Sequence, residues 1–387
     1  METVALTDKP ARWISVYAGF VLTGMVTTLL GPMLPVIAVS TGRKPTDLGL
    51  LFTAQFLSST AVTLLAGVLS QRFGFRVPLA LGYALMGVGV GTLLFSPWPW
   101  VLCAVASCGF GIGFVIPASN ILIAEASENR GAALSRLNAC WAAGAILFPL
   151  VVAAGLRNDN LRAVLVGGGV ALLAWSAWMG LARWPSPTVA VSVDTGSNRP
   201  KLVGLAIFAA LFFLYVGSEN SVSGWIAAYS RSMGLEHTWI LTPSLFWLCL
   251  VAGRVIAPRV LRHTSEYAVC LAGLVVSIVG SAVLAEAQSP ITAVVGSAVS
   301  GFGLSAVYPI FIASLSRVLG EHSRKLAGTA FAISGLGGAT LPWFIGALAN
   351  GTGNMRWALT VPVGGCAAML AIAAKNKAMF ETRRARG

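Results

Sequence analysis

The chain has 387 residues, of which 56% are apolar or aromatic and 10% are charged. A soluble domain carries about 25% charged residues, so this composition excludes an ordinary water-exposed fold and points to lipid as the solvent. The net charge of +13 would suit nucleic acid if it were clustered, but the basic residues occur in ones and twos between apolar runs. The partners expected are therefore a lipid bilayer and a small solute, not nucleic acid.

A short polar lead, Met1 to Pro10, precedes an apolar run too long for a cleavable signal peptide. The runs expected to span are 12–40, 47–71, 77–95, 98–127, 129–155 and 161–182, then 202–230, 239–260, 266–286, 290–319, 324–350 and 355–378. Each reaches the roughly 20 residues that a spanning helix needs. The fold class expected is an all-α integral membrane protein with 12 transmembrane helices in two pseudo-symmetric six-helix bundles. The bundles are residues 1–182 and 202–387, joined by a linker over 183–201 that holds three prolines. All six cysteines fall inside apolar runs, without metal-ligand spacing, and read as packing residues.

Orientation follows from lysine and arginine, which favour the cytoplasmic side. With twelve spans, the side holding both termini and the linker carries twenty of the 26 basic residues. A plasma (inner) membrane location with cytoplasmic termini is the expectation, and an even number of spans preserves the alternation.

An internal repeat organises the chain. Gly109-Phe110-Gly111-Ile112-Gly113-Phe114-Val115-Ile116-Pro117 matches Gly301-Phe302-Gly303-Leu304-Ser305-Ala306-Val307-Tyr308-Pro309. A Glu/Arg loop follows each copy, then a small-residue stretch ending in proline, Gly144 to Pro149 and Gly337 to Pro342. Runs four and five are thus echoed by ten and eleven. Tandem halves suit a transporter with its substrate site near mid-membrane. The glycines serve close helix packing, and those ahead of the prolines also permit bending.

The loop after run two reads Gly67-Val68-Leu69-Ser70-Gln71-Arg72-Phe73-Gly74-Phe75-Arg76. It resembles the signature loop of the major facilitator superfamily, Gly-x-x-x-Asp-Arg-x-Gly-x-Arg, with Gln71 in place of the aspartate. The resemblance implies a conformational-switch loop carried by Gly67, Arg72, Gly74 and Arg76. The stretch Tyr215 to Ile226 resembles Tyr-Val-Gly-x-Glu-x-x-x-x-x-Trp-Ile of the fucose–galactose–glucose symporters and the sodium-dependent glucose transporter-like proteins. That likeness implies sugar uptake coupled to a proton or sodium ion. Where fucose-type members carry acidic residues in helices one and four, this chain offers Thr23, Thr27 and Thr28, and then Asn120.

Of thirteen acidic residues only Glu219 lies well inside an apolar run, and no lysine or arginine is expected at its depth. An ionised carboxylate stranded there costs several kcal/mol, so it would bind a proton or cation during part of a transport cycle. Asn220 is the neighbouring oxygen donor for such an ion. Candidate substrate contacts are Asn120, Asn138, Trp141, Gln55, Tyr215, Trp225, Tyr308 and Trp247. Asn138 and Trp141, three apart, share a helical face, where an amide and an indole suit a sugar's hydroxyls and its apolar face.

No nucleophile–base cluster, metal-ligand set or nucleotide-binding loop appears in the sequence, so neither an enzyme nor direct ATP drive is expected. No cofactor is expected beyond a coupling ion, H⁺ or Na⁺. The function expected is alternating-access, cation-coupled symport of a sugar or sugar-like solute by a monomer. The alternative is a proton-driven exporter of amphipathic compounds.

Overall fold

The computed structural model describes residues 10–182, 184, 199–234, 239–319 and 323–380. The described residues are helical or in connections, with no strand among them. In the first half the helices are α1 (Pro10–Thr27), α2 (Leu30–Thr41), α3 (Pro45–Phe73), α4 (Arg76–Thr92), α5 (Trp100–Ala126), α6 (Arg130–Arg157) and α7 (Leu161–Leu181). In the second they are α8 (Arg199–Ser232), α9 (Thr242–Val260), α10 (Glu266–Ala285), α11 (Pro290–Leu304), α12 (Val307–Leu319), α13 (Ser323–Thr352), α14 (Met355–Ala358) and α15 (Thr360–Lys375).

Nine helical stretches among the described residues are long and apolar enough to cross a bilayer, and two bent pairs raise the number to eleven. Helix α4, with 17 residues, is the remaining apolar run of the expected twelve. The chain is an all-α integral membrane protein. Run one is split into α1 and α2 with a 43° bend, where Pro32 and Pro35 each withhold a backbone donor.

Two compact units divide the chain, Met1–Gly42 with Leu50–Ser192, and Arg43–Gly49 with Val193–Gly387. Helix α3 thus begins in the second unit, where the Thr46 hydroxyl donates to the Gly346 carbonyl at 3.4 Å.

The repeat seen in sequence has matching contacts in the two units. In the first, a Cβ at Gly144 on α6 would collide with the Val21 carbonyl on α1. In the second, a Cβ at Gly337 on α13 would collide with the Phe213 carbonyl on α8. Gly111 on α5 faces Gly82 on α4, just as Gly303 on α11 faces Gly273 on α10. Lipid tails give helices little apolar drive to associate, so these backbones gain contact by dispensing with side chains. Buried hydroxyls add to the second unit: Ser300 Oγ lies 3.1 Å from Ser277 Oγ and 2.9 Å from Ser281 Oγ.

The two repeat copies differ in one respect that matters for the site. Run four continues through Pro117 as α5, whereas run ten breaks at Ser305–Ala306 between α11 and α12. Ser305 stands where the first copy has Gly113. Its hydroxyl donates to the Phe302 carbonyl at 2.6 Å, a local bond that competes with helix continuation.

At the opposite end of α12, Phe380 is 1% exposed and packs against Phe208, Phe311 and Tyr267 with ring centroids 5.7, 6.1 and 6.3 Å away. Arg317 Nη2 donates to Glu266 Oε2 at 2.6 Å and Ser314 Oγ at 2.8 Å, with the Phe380 carbonyl 3.4 Å away. This clasp ties the end of the described chain to α8, α10 and α12.

Candidate functional site: a carboxylate and a guanidinium at a broken helix

Pro309 has no backbone N–H, so it leaves the Ser305 carbonyl without its usual intrahelical donor. Arg254 fills part of that vacancy from α9, its Nε donating to the Ser305 carbonyl at 3.4 Å. Arg254 Nη2 lies 3.9 Å from Glu219 Oε1 on α8. The Tyr215 hydroxyl, one turn before Glu219, donates to that same Oε1 at 2.8 Å, with the Leu304 carbonyl 3.3 Å away as a second acceptor. The guanidinium is also within reach of the Tyr215 hydroxyl.

The expectation that Glu219 has no cationic neighbour at its depth is therefore incorrect. Arg254 lies inside run eight, expected over 239–260, at the same depth as Glu219. Helix α9 continues past Arg254 to Val260. Helices α8 and α9 form a hairpin: Glu219 precedes the α8 end at Ser232 by thirteen residues, and Arg254 follows the α9 start at Thr242 by twelve. At 1.5 Å per residue, both sit about 18–20 Å from the hairpin's turn. Equal distance along antiparallel helices brings them together.

Tyr308 stacks beside this group, its ring centroid 5.1 Å from that of Tyr215 and 5.2 Å from that of Phe212. The structure thus gathers Glu219, Tyr215 and Tyr308 from the candidate list, and adds Arg254. Asn220 Nδ2 instead donates to the Val216 carbonyl of its own helix at 2.8 Å. Trp225 is 1% exposed and its indole donates to the Pro342 carbonyl at 2.9 Å, a packing anchor between α8 and α13. Trp247 is buried edge-on against Phe246, with centroids 5.2 Å apart.

In the first unit, Gln55 and Trp141 converge on the bend between α1 and α2. Gln55 Nε2 lies 3.2 Å from both the Val26 and Thr27 carbonyls, and the Trp141 indole donates to Thr27 Oγ1 at 3.4 Å. Asn120 and Asn138 each donate to the carbonyl four residues back, Ile116 at 2.8 Å and Leu134 at 3.0 Å. Asn138 is exposed and Asn120 half-buried, so their amide oxygens remain the groups to assign.

The loop between α3 and α4 turns at Gly74, whose φ of +74° is a conformation that side chains disfavour. Arg76 Nε donates to the Gly180 carbonyl near the end of α7 at 2.8 Å, satisfying a helix-terminal acceptor. Arg72 lies over the Phe73 ring at 5.4 Å, and Gly67 faces open space.

With this geometry in place, comparison with known families decides the class: the model for the Major Facilitator Superfamily matches residues 16–342. The chain belongs to the Major Facilitator Superfamily. It is similar to the glucose/mannose transporter GlcP of Bacillus subtilis, 20% identical over 344 residues, covering 85% of this chain and 86% of that one. It is also similar to sodium-dependent glucose transporter 1 of Danio rerio, 26% identical over 64% of this chain and 49% of that one. Among solved structures it resembles the E. coli fucose:proton symporter, with a TM-score of 0.65 at 15% identity over 96% of this chain and 99% of that one. Membership makes this superfamily chain a transporter rather than an enzyme.

Proposed function

We propose that this transporter is a cation-coupled symporter of a sugar or sugar-like solute, working by alternating access with Glu219 as the coupling carboxylate. The observation that carries the proposal is the partner set around Glu219. When ionised, the carboxylate accepts from Tyr215 at 2.8 Å with Arg254 nearby. When protonated, it becomes a donor, and Tyr215 has the Leu304 carbonyl at 3.3 Å as its own alternative acceptor. Both charge states therefore have hydrogen-bond partners in reach, as a group that loads and unloads every cycle requires.

The sugar relatives support the solute class, and Tyr308, Trp141 and the two asparagines are the remaining groups to test for solute contact. The excess of lysine and arginine on one side supports an inner-membrane location with cytoplasmic termini. Gradient-driven uptake into proteoliposomes tests the coupling role. Glu219→Gln is expected to abolish accumulation while keeping exchange of labelled solute; accumulation at the wild-type level would remove Glu219 from the mechanism.

A further inference from the structure

We infer that the solute carries a single negative charge, as a sugar acid does, and that Arg254 is the residue that reads its carboxylate. This deepens the proposed function and rests on Glu219 being the coupling residue.

The first support is the geometry of Arg254. A guanidinium satisfied by a carboxylate usually makes two parallel bonds of about 2.7–2.9 Å. Here Nη2 stands 3.9 Å from Glu219 Oε1, beyond hydrogen-bonding distance, and Nε has only the Ser305 carbonyl at 3.4 Å. The neutral Tyr215 hydroxyl is the other neighbour within reach. Among the described residues, a planar fork is thus held at membrane depth without a bidentate acceptor. The side-chain exposure is 30% for Arg254 and 12% for Glu219, so Arg254 is the more accessible side chain of the pair. A carboxylate matches the fork's geometry.

The second support is charge bookkeeping. The ionisable groups acting on Glu219 are Arg254 on α9 and Tyr215 on its own helix, with Tyr308 on α12 beside them. Helices α11 and α13, which also pack on α8, add none at this depth among their described residues, and α15 adds only the thiol of Cys366, which pairs with the Ser277 hydroxyl at 3.3 Å and brings no charge as a thiol. The empty site therefore carries one negative and one positive charge. Loading Glu219 with a proton or a monovalent cation leaves the site at +1. A neutral solute keeps it there, whereas a monoanion returns it to zero.

An uncompensated charge in a closed, low-dielectric site costs several kcal/mol. With a monoanionic solute only two forms are neutral, the empty one and the doubly loaded one. Forms with the cation alone or the anion alone are both penalised. The pair on the page thus couples one cation to one anion, and transport would be electroneutral.

Binding to the purified transporter and uptake into proteoliposomes test this with D-glucuronate, D-galacturonate and D-gluconate against D-glucose. A sugar acid is expected to bind at least about tenfold more weakly as pH rises from mildly acidic to mildly alkaline, a factor worth about 1.4 kcal/mol. Glu219→Gln, which imitates the loaded carboxyl, is expected to bind the acid with a pH-independent affinity. Arg254→Gln is expected to lose at least about tenfold, and Arg254→Lys, which keeps the charge without the fork, an intermediate amount. Sugar-acid uptake driven by the cation gradient should not respond to an imposed membrane potential.

Gradient-driven accumulation of D-glucose without any of the three acids would overturn the inference while leaving Glu219 as the coupling residue. Failure to bind any of the acids would also overturn it. A Glu219→Gln variant that still accumulates solute up a gradient would instead bring down the coupling assignment itself.

Discussion

Gln55→Leu probes what holds the bend in run one. The substitution keeps a side chain of similar volume at a position that is 3% exposed, but it deletes the amide near two carbonyls. Gln55 Nε2 lies 3.2 Å from both Val26 O and Thr27 O, and neither acceptor gains a donor from leucine. A neutral hydrogen bond contributes about 0.5–1.5 kcal/mol net, and side-chain bonds between membrane helices average about 0.6 kcal/mol. Two such bonds set a loss of about 1–3 kcal/mol. Reversible unfolding in mixed micelles would measure that loss. Distances between spin labels placed on α1 and α2 would report whether the 43° bend relaxes. Wild-type stability together with an unchanged bend would refute the assignment of Gln55 as the residue that secures the break. Unchanged stability with weakened solute binding would return Gln55 to the solute site.

Gly144→Ala and Gly337→Ala each place a methyl group against a facing backbone carbonyl, and each is expected to cost about 1–3 kcal/mol by overpacking; thermal unfolding of the two variants should fall in parallel. Pro309→Ala restores a donor for the Ser305 carbonyl that Arg254 now serves. It is expected to raise thermal stability by about 1 kcal/mol while lowering uptake severalfold, so a variant with full uptake and raised stability would detach the helix break from function. Glu286→Gln removes an exposed ion pair with Arg356 at 2.9 Å, and its stability should stay within about 0.5 kcal/mol of wild type in the same unfolding assay.

The membrane class and the duplication were legible because both rest on long-range composition and exact repetition. Run four, expected over 98–127, is α5 at Trp100–Ala126, and the echoed glycines Gly144 and Gly337 make equivalent contacts in the two units. The pairing at Glu219 was hidden by a counting rule. Basic residues near a run's end are conventionally counted with the adjoining loop, and Arg254 is among the twenty counted on the side of the termini although it lies within the run over 239–260. Measuring residue distance from the short connection between runs seven and eight would have found it. The break in run ten was equally illegible, because Pro117 and Pro309 occupy equivalent places. Two bonds mark the broken copy, the Ser305 hydroxyl's local bond to Phe302 and the Arg254 bond to the Ser305 carbonyl, and the second comes from another helix.

The clasp around Phe380 has a practical bearing on how this transporter is engineered. A fusion partner appended after Gly387 leaves the aromatic plug and its Arg317 tether in place. Trimming the chain to shed its basic tail is safe only downstream of Phe380. A truncation that takes the phenylalanine opens a hole among Phe208, Phe311 and Tyr267, and poor expression of such a clone would reflect lost anchorage, with no bearing on transport chemistry.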